Sequence, residues 1–126
     1  MSLGFDVQLK RNRHVPGDTV RGTVTVTKGG KSRSLEVFLL YREHTDDYNE
    51  TAIELGSGPL HQGELQTGAS YSFELQLPED ALPAHESKHG KLYWEVDVKS
   101  DERGRDSHER VRLDVEAGKA GVLGES

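Results

Sequence analysis

A chain of 126 residues with no cysteine and a formal net charge of −6 is one domain's worth of chain, long enough to bury a single core. The lack of cysteine excludes disulfides and thiolate metal centres, and a composition 33% hydrophobic and 30% charged suits a small sandwich with wet outer faces. No apolar run reaches the ~20 residues of a membrane span, and the acidic balance disfavours nonspecific binding to nucleic acid or an anionic membrane. Met1-Ser2-Leu3-Gly4-Phe5 lacks the basic head and apolar stretch of a signal peptide, so a cytoplasmic setting is expected.

Phe5, Val7 and Leu9 alternate with Asp6, Gln8 and Lys10, which predicts a first strand with one apolar face. It runs into the basic segment Lys10-Arg11-Asn12-Arg13-His14. Val15-Pro16-Gly17-Asp18 reads as a tight turn, with proline preset for one central position and glycine free to take positive φ. Val20, Gly22, Val24 and Val26 then face inward. A glycine in mid-strand weakens it unless a large side chain or another backbone lies close above. Lys28-Gly29-Gly30-Lys31 reads as a hairpin turn, because paired glycines fit the two-residue primed turns.

The third strand, Leu35 to Glu43, puts Leu35, Val37, Leu39 and Tyr41 on one face but also Phe38 and Leu40 on the other. A strand apolar on both faces has both covered, here by a loop or by a second molecule. Asp46 to Glu50 predicts a polar turn, Thr51 to Leu55 a weak strand broken by Gly56-Ser57-Gly58-Pro59, and Leu60 to Leu65 a short strand before the Thr67-Gly68 turn.

The most regular alternation follows. Tyr71, Phe73, Leu75 and Leu77 share one face of one strand; Leu92, Trp94, Val96 and Val98 share one face of another. Pro78 and Pro83 bracket the bridge between them, since neither can donate a ladder hydrogen bond. Asp101 to Asp106 is a hairpin loop, and Val111, Leu113 and Val115 point inward from a last strand. About eight short strands without an amphipathic helix predict an all-β, immunoglobulin-like sandwich of two antiparallel sheets. The domain is expected over 1–116, with 117–126 as a flexible tail.

Three stretches, in order, carry a resemblance to a known family: Val15-Pro16-Gly17-Asp18 followed by Val20-x-Gly22-x-Val24-x-Val26; Gly68 to Pro78 with Phe73 and Leu77; and Leu82-Pro83 followed by Gly90-Lys91-Leu92-Tyr93-Trp94-Glu95-Val96. The chain resembles a single arrestin-like domain, the sandwich shared by arrestins, the retromer cargo-selection subunit and the bacterial sporulation-control family. The resemblance implies an arrestin-like fold and non-enzymatic, adaptor-type work with protein partners. It also implies an anion-binding role for Lys10, Arg11 and Arg13, which occupy a place similar to the phosphate-receiving basic residues of arrestins. A serine and an aromatic that often follow the second proline are replaced here by Ala84-His85-Glu86. Arrestins carry two such domains; with one here, self-association through the face bearing Phe38 and Leu40 is expected.

Other constellations fit catalysis poorly. His85-Glu86-Ser87-Lys88-His89 satisfies the zinc-protease string His-Glu-x-x-His, which would make His85 and His89 metal ligands. That chemistry requires a helix to aim both imidazoles at one ion, and Pro83 and Gly90 leave little room for one. The alternative function on this string is a small metal-dependent hydrolase with Glu86 activating water. Asp46, Asp47 and Glu50 lack the glycine and spacing of a calcium loop. Ser57 lacks a nucleophile elbow, and Gly56-x-Gly58 opens no helix to cradle phosphate. His14, His44, His61 and His108 are scattered over strand edges and loops and read as solvated. The resulting expectation is a module without cofactor that binds protein partners through Phe38 and Leu40, which would otherwise leave an apolar patch in water.

Overall fold

The computed structural model describes residues 3–46, 49–83, 85–88 and 90–116. They form nine strands: β1 (Gly4–Leu9), β2 (Arg13–His14), β3 (Thr19–Lys28), β4 (Ser34–Thr45), β5 (Asn49–Gln62), β6 (Ser70–Gln76), β7 (His85–Glu86), β8 (Gly90–Asp101) and β9 (Ser107–Val115). Two of them are only two residues long. The small sheet has the order β1-β3-β6 and the large one β2-β9-β8-β4-β5, with β7 also paired to β8. All pairings are antiparallel except β2 with β9. Among the described residues no helix is long and apolar enough to cross a membrane.

The core lies where the alternation places it. Val20, Val24, Val26, Phe73 and Leu75 of the small sheet meet Leu35, Val37, Leu39, Tyr41, Trp94, Val96, Val98 and Leu113 of the large one. Gly22 pairs with Phe73, and a Cβ on it would stand 2.6 Å from the Phe73 ring and 2.7 Å from the Gln8 carbonyl oxygen. Both coverings that excuse a mid-strand glycine are therefore present. Gly17, at φ +90, completes the Val15–Asp18 turn, closed by the Asp18 N–H to the Val15 carbonyl at 3.0 Å.

The Pro78–Pro83 bridge carries the chain from the small sheet to the large one and is held by core aromatics. Trp94 Nε1 donates to the Leu82 carbonyl at 2.7 Å, and the Tyr41 ring packs 4.9 Å from that of Trp94. Trp94 thus stays fully buried without stranding its N–H.

Three local expectations are corrected. Lys28 to Lys31 is no hairpin, since β3 pairs with β1 and β6 and never with β4. The segment crosses between sheets instead. Gly29 lies so close to the Leu65–Thr67 backbone that a Cβ would strike the Leu65 carbonyl oxygen, and Gly30 bridges Leu65. Gly56 to Pro59 does not end a strand, and Leu60 does not begin a separate one: both lie inside β5. Register shifts opposite Glu36 absorb the extra residues. An edge strand tolerates this, because the missing proline N–H points away from the ladder. Finally, Arg13-His14 forms the short parallel strand β2 on β9 and buries His14. Asp47, Tyr48, Ala84, His89 and the expected tail 117–126 lie outside the described residues.

Candidate interaction face

Odd-numbered β4 residues enter the core, so the even-numbered ones form the outer face of the large sheet. In register across it, Phe38 stands between Gly56 and Asp97, Leu40 between Glu54 and Glu95, and Arg42 between Thr51 and Tyr93. One strand further, Asp97 faces Arg110, Glu95 faces Arg112 and Lys99 faces His108.

Phe38 is half-buried and seated across β5: a Cβ on Gly56 would meet its ring at 3.0 Å. Leu40 is only 4% exposed. The chain itself covers it within this face, without a second molecule, so any contact here falls to Phe38 with Leu40 as its support.

The charges beside them are packed rather than splayed into water. Asp97 is 4% exposed, with His108 Nδ1 at 3.1 Å and Arg110 Nε at 3.5 Å from its carboxylate. Glu95 lies 3.9 Å from both Arg42 Nε and Arg110 Nε. Arg112 lies over the Tyr93 ring at 4.7 Å, a cation–π geometry. At the end of the face Lys99 sits 3.7 Å from Asp106. The Glu102 backbone N–H, and then Lys99, hold the Asp106 carboxyl below its usual range. Desolvated charges persist only when paired, and here Asp97 and Glu95, the two buried or nearly buried acids, each touch two bases.

Sequence reading misses this network because Glu95 and Asp97, opposite the apolar face of their strand, read as ordinary outward charges. A signal did exist. A hairpin at Asp101 to Asp106 sets Asp97 against Arg110 and Glu95 against Arg112, opposite charges in cross-strand register.

The basic segment is distributed differently. Arg11 bonds Asp18 at 3.1 Å, and Asp18 also caps the Val15 N–H at 2.9 Å. Arg13 lies 3.3 Å from Glu116 and 3.7 Å from Asp114. Arg11 and Arg13 border a depression of about 320 Å³ together with His14, Asp18 and Glu116, which Lys10 does not line. Burial pushes the His14 pKa below its ordinary 6.5, only partly opposed by its contact with the Asn12 carbonyl.

His85 and Glu86 are strand residues paired with Leu92 and Lys91, not helical ones. As a strand dictates, they point to opposite sides. His85 lines a hollow of about 220 Å³ with Glu43 and Leu92, and Glu86 lines one of about 150 Å³ with His44 and Asp46. No group of three His, Asp or Glu able to hold a metal occurs among the described residues. The Ser57 backbone lies within β5.

Sheet order, strand count and the inter-sheet bridge define an all-β, arrestin-like sandwich. Among solved structures the chain is similar to Spo0M, the sporulation control protein from Bacillus subtilis, with a TM-score of 0.70 over 98% of this chain at 23% identity. It spans 54% of that protein's length. It is also similar to the β-glucosidase from Listeria innocua, at a TM-score of 0.44 and 15% identity over 92% of this chain and 16% of the enzyme. No protein-family model and no curated protein matches the sequence.

Proposed function

We propose that this domain is a non-enzymatic protein-interaction or scaffolding module that works in the cytoplasm and receives its partner on the outer face of the large sheet around Phe38. The observation that carries the reading is Phe38 fixed across Gly56, beside a charge network whose members hold one another in place. Such a face is ordered before a partner arrives, so little side-chain entropy is lost on binding. Similarity in fold to a sporulation control protein supports a regulatory or scaffolding role, although fold by itself does not fix function. Self-association through the same face is the homotypic form of this reading.

The test is capture of partners from source-cell lysate by the wild-type domain and by Phe38→Asp, with sedimentation of both at high concentration. A protein, or a second copy, bound by wild type and lost from an equally stable Phe38→Asp supports the face. Equal capture by both variants would overturn it.

A further inference from the structure

Among the described residues, the outer edge of β9 leaves backbone hydrogen-bonding groups without a strand partner. The Asp114 N–H donates to the Asn12 carbonyl at 3.1 Å and the Glu116 N–H to the His14 carbonyl at 2.9 Å. Even-numbered residues of β9 therefore turn their backbone groups away from β8. The β8–β9 register is uninterrupted from Ser107 to Leu113, so the N–H and C=O of His108, Arg110 and Arg112 face the same way. Among the described residues, β9 pairs on that side with β2 alone, and β2 reaches only Asp114 and Val115. Where β2 stops, Asn12, Arg112, Leu113 and Asp114 border a hollow of about 350 Å³. At the other end the Leu3 N–H bonds Ser107 Oγ at 3.1 Å. The open stretch between these stops is His108 to Arg112, room for a short extended segment.

We infer that this edge accepts an extended peptide as an added strand, and that the peptide is acidic at alternate positions. Strand parity puts the side chains of His108, Arg110 and Arg112 on the outer face, so the added strand's outer side chains would lie beside two arginines and a histidine. The acids that partner them, Glu95 and Asp97, lie one strand further in and are largely buried. The inner side chains of the guest would lie beside Glu109, which is exposed, and the half-buried Val111, which suits an apolar residue. A second copy of this chain is disfavoured at this edge, because a twofold antiparallel pairing through β9 sets basic residues opposite basic residues. This inference rests on the interaction-module reading and names a partner chemistry for it.

The probe is the acetylated, amidated peptide Glu-Val-Glu-Val-Glu-Val-Glu, fluorescently labelled and titrated against the intact protein, beside its lysine counterpart. The protein's net charge of −6 favours the lysine peptide if bulk electrostatics governs, whereas the edge favours the glutamate peptide by about tenfold or more. Two further peptides, N-methylated on every glutamate or on every valine, read the backbone. Strand addition predicts that one loses binding and the other keeps it, and which one reveals whether pairing is antiparallel or parallel. Arg112→Glu, with its melting temperature checked, is expected to weaken binding about tenfold. Stronger binding of the lysine peptide, equal effects of the two methylation patterns, or an unaltered Arg112→Glu would each overturn the inference. No binding of the glutamate peptide would also overturn it, leaving the Phe38→Asp capture experiment to decide the broader reading alone.

Discussion

The two sheets present opposite solutions to an outer face. On the small sheet, cross-strand pairs stand singly in water: Arg21 with Glu74 at 2.9 Å and Thr25 with Ser70 at 3.1 Å. Both Arg21 and Glu74 are more than half exposed. On the large sheet the side chains lie across one another, so that Arg42 and Glu95 are only 13% and 14% exposed. The first face consists of separable pairs, each screened by solvent. The second is a coupled layer, where removing one member strands another out of water. Ordering of that kind on an outer face is why the large sheet, rather than the small one, is the face proposed for partner binding.

The largest effect is expected beneath the large sheet. Trp94→Ala removes the core residue beneath the large sheet and its hydrogen bond to the Leu82 carbonyl, and is expected to cost about 3–5 kcal/mol. Chemical denaturation measures it, and a cost under about 1 kcal/mol would show that the large sheet is not anchored from inside. Gly22→Ala forces a methyl group against Phe73 and the Gln8 backbone, and should cost about 1–3 kcal/mol. The same measurement reads it, with a neutral result contradicting the close packing. Within the coupled layer, Arg110→Ala leaves Asp97 buried with His108 alone, an expected loss of about 1–2 kcal/mol.

His14 makes stability depend on pH. Its folded pKa is depressed by burial, so the unfolded chain binds more protons as pH falls below 6.5. Stability from this group is complete above pH 6.5 and declines as pH drops toward the folded value. His14→Gln should flatten that part of the stability–pH curve; an unchanged slope would contradict the assignment. The smallest effect is expected on the small sheet, where Arg21→Ala should cost under about 0.5 kcal/mol. If Arg21→Ala and Arg110→Ala cost the same, the distinction between the two faces fails.

What could be read from sequence was whatever depends on a residue's neighbours in the chain. Period-two alternation placed Leu35, Val37, Leu39, Trp94, Val96 and Val98 in the core, and the glycine at Gly22 pointed to its covering. What could not be read depends on which strands pair. Lys28 to Lys31 looks like a hairpin until β3 is known to belong to the other sheet, and Gly56 to Pro59 looks like a strand end until β5 is known to be an edge. Asp97 reads as an outward charge because its burial comes from Arg110 and His108 on the next strand. His14 reads as solvated, since nothing local reveals that Arg13 and His14 switch sheets to join β9. The two-sided apolar character of Phe38 and Leu40 was legible, but that the chain covers Leu40 itself was not.

Hydrogen-exchange mass spectrometry of the domain, with and without the partner captured by the wild-type protein, tests the proposed face directly. Docking on the outer face of the large sheet predicts new protection in the β4, β8 and β9 segments that carry Phe38, Glu95, Asp97 and Arg110, with the small-sheet strands β3 and β6 unchanged. Protection confined to β3 and β6, or to the Lys10–Arg13 segment, would contradict it.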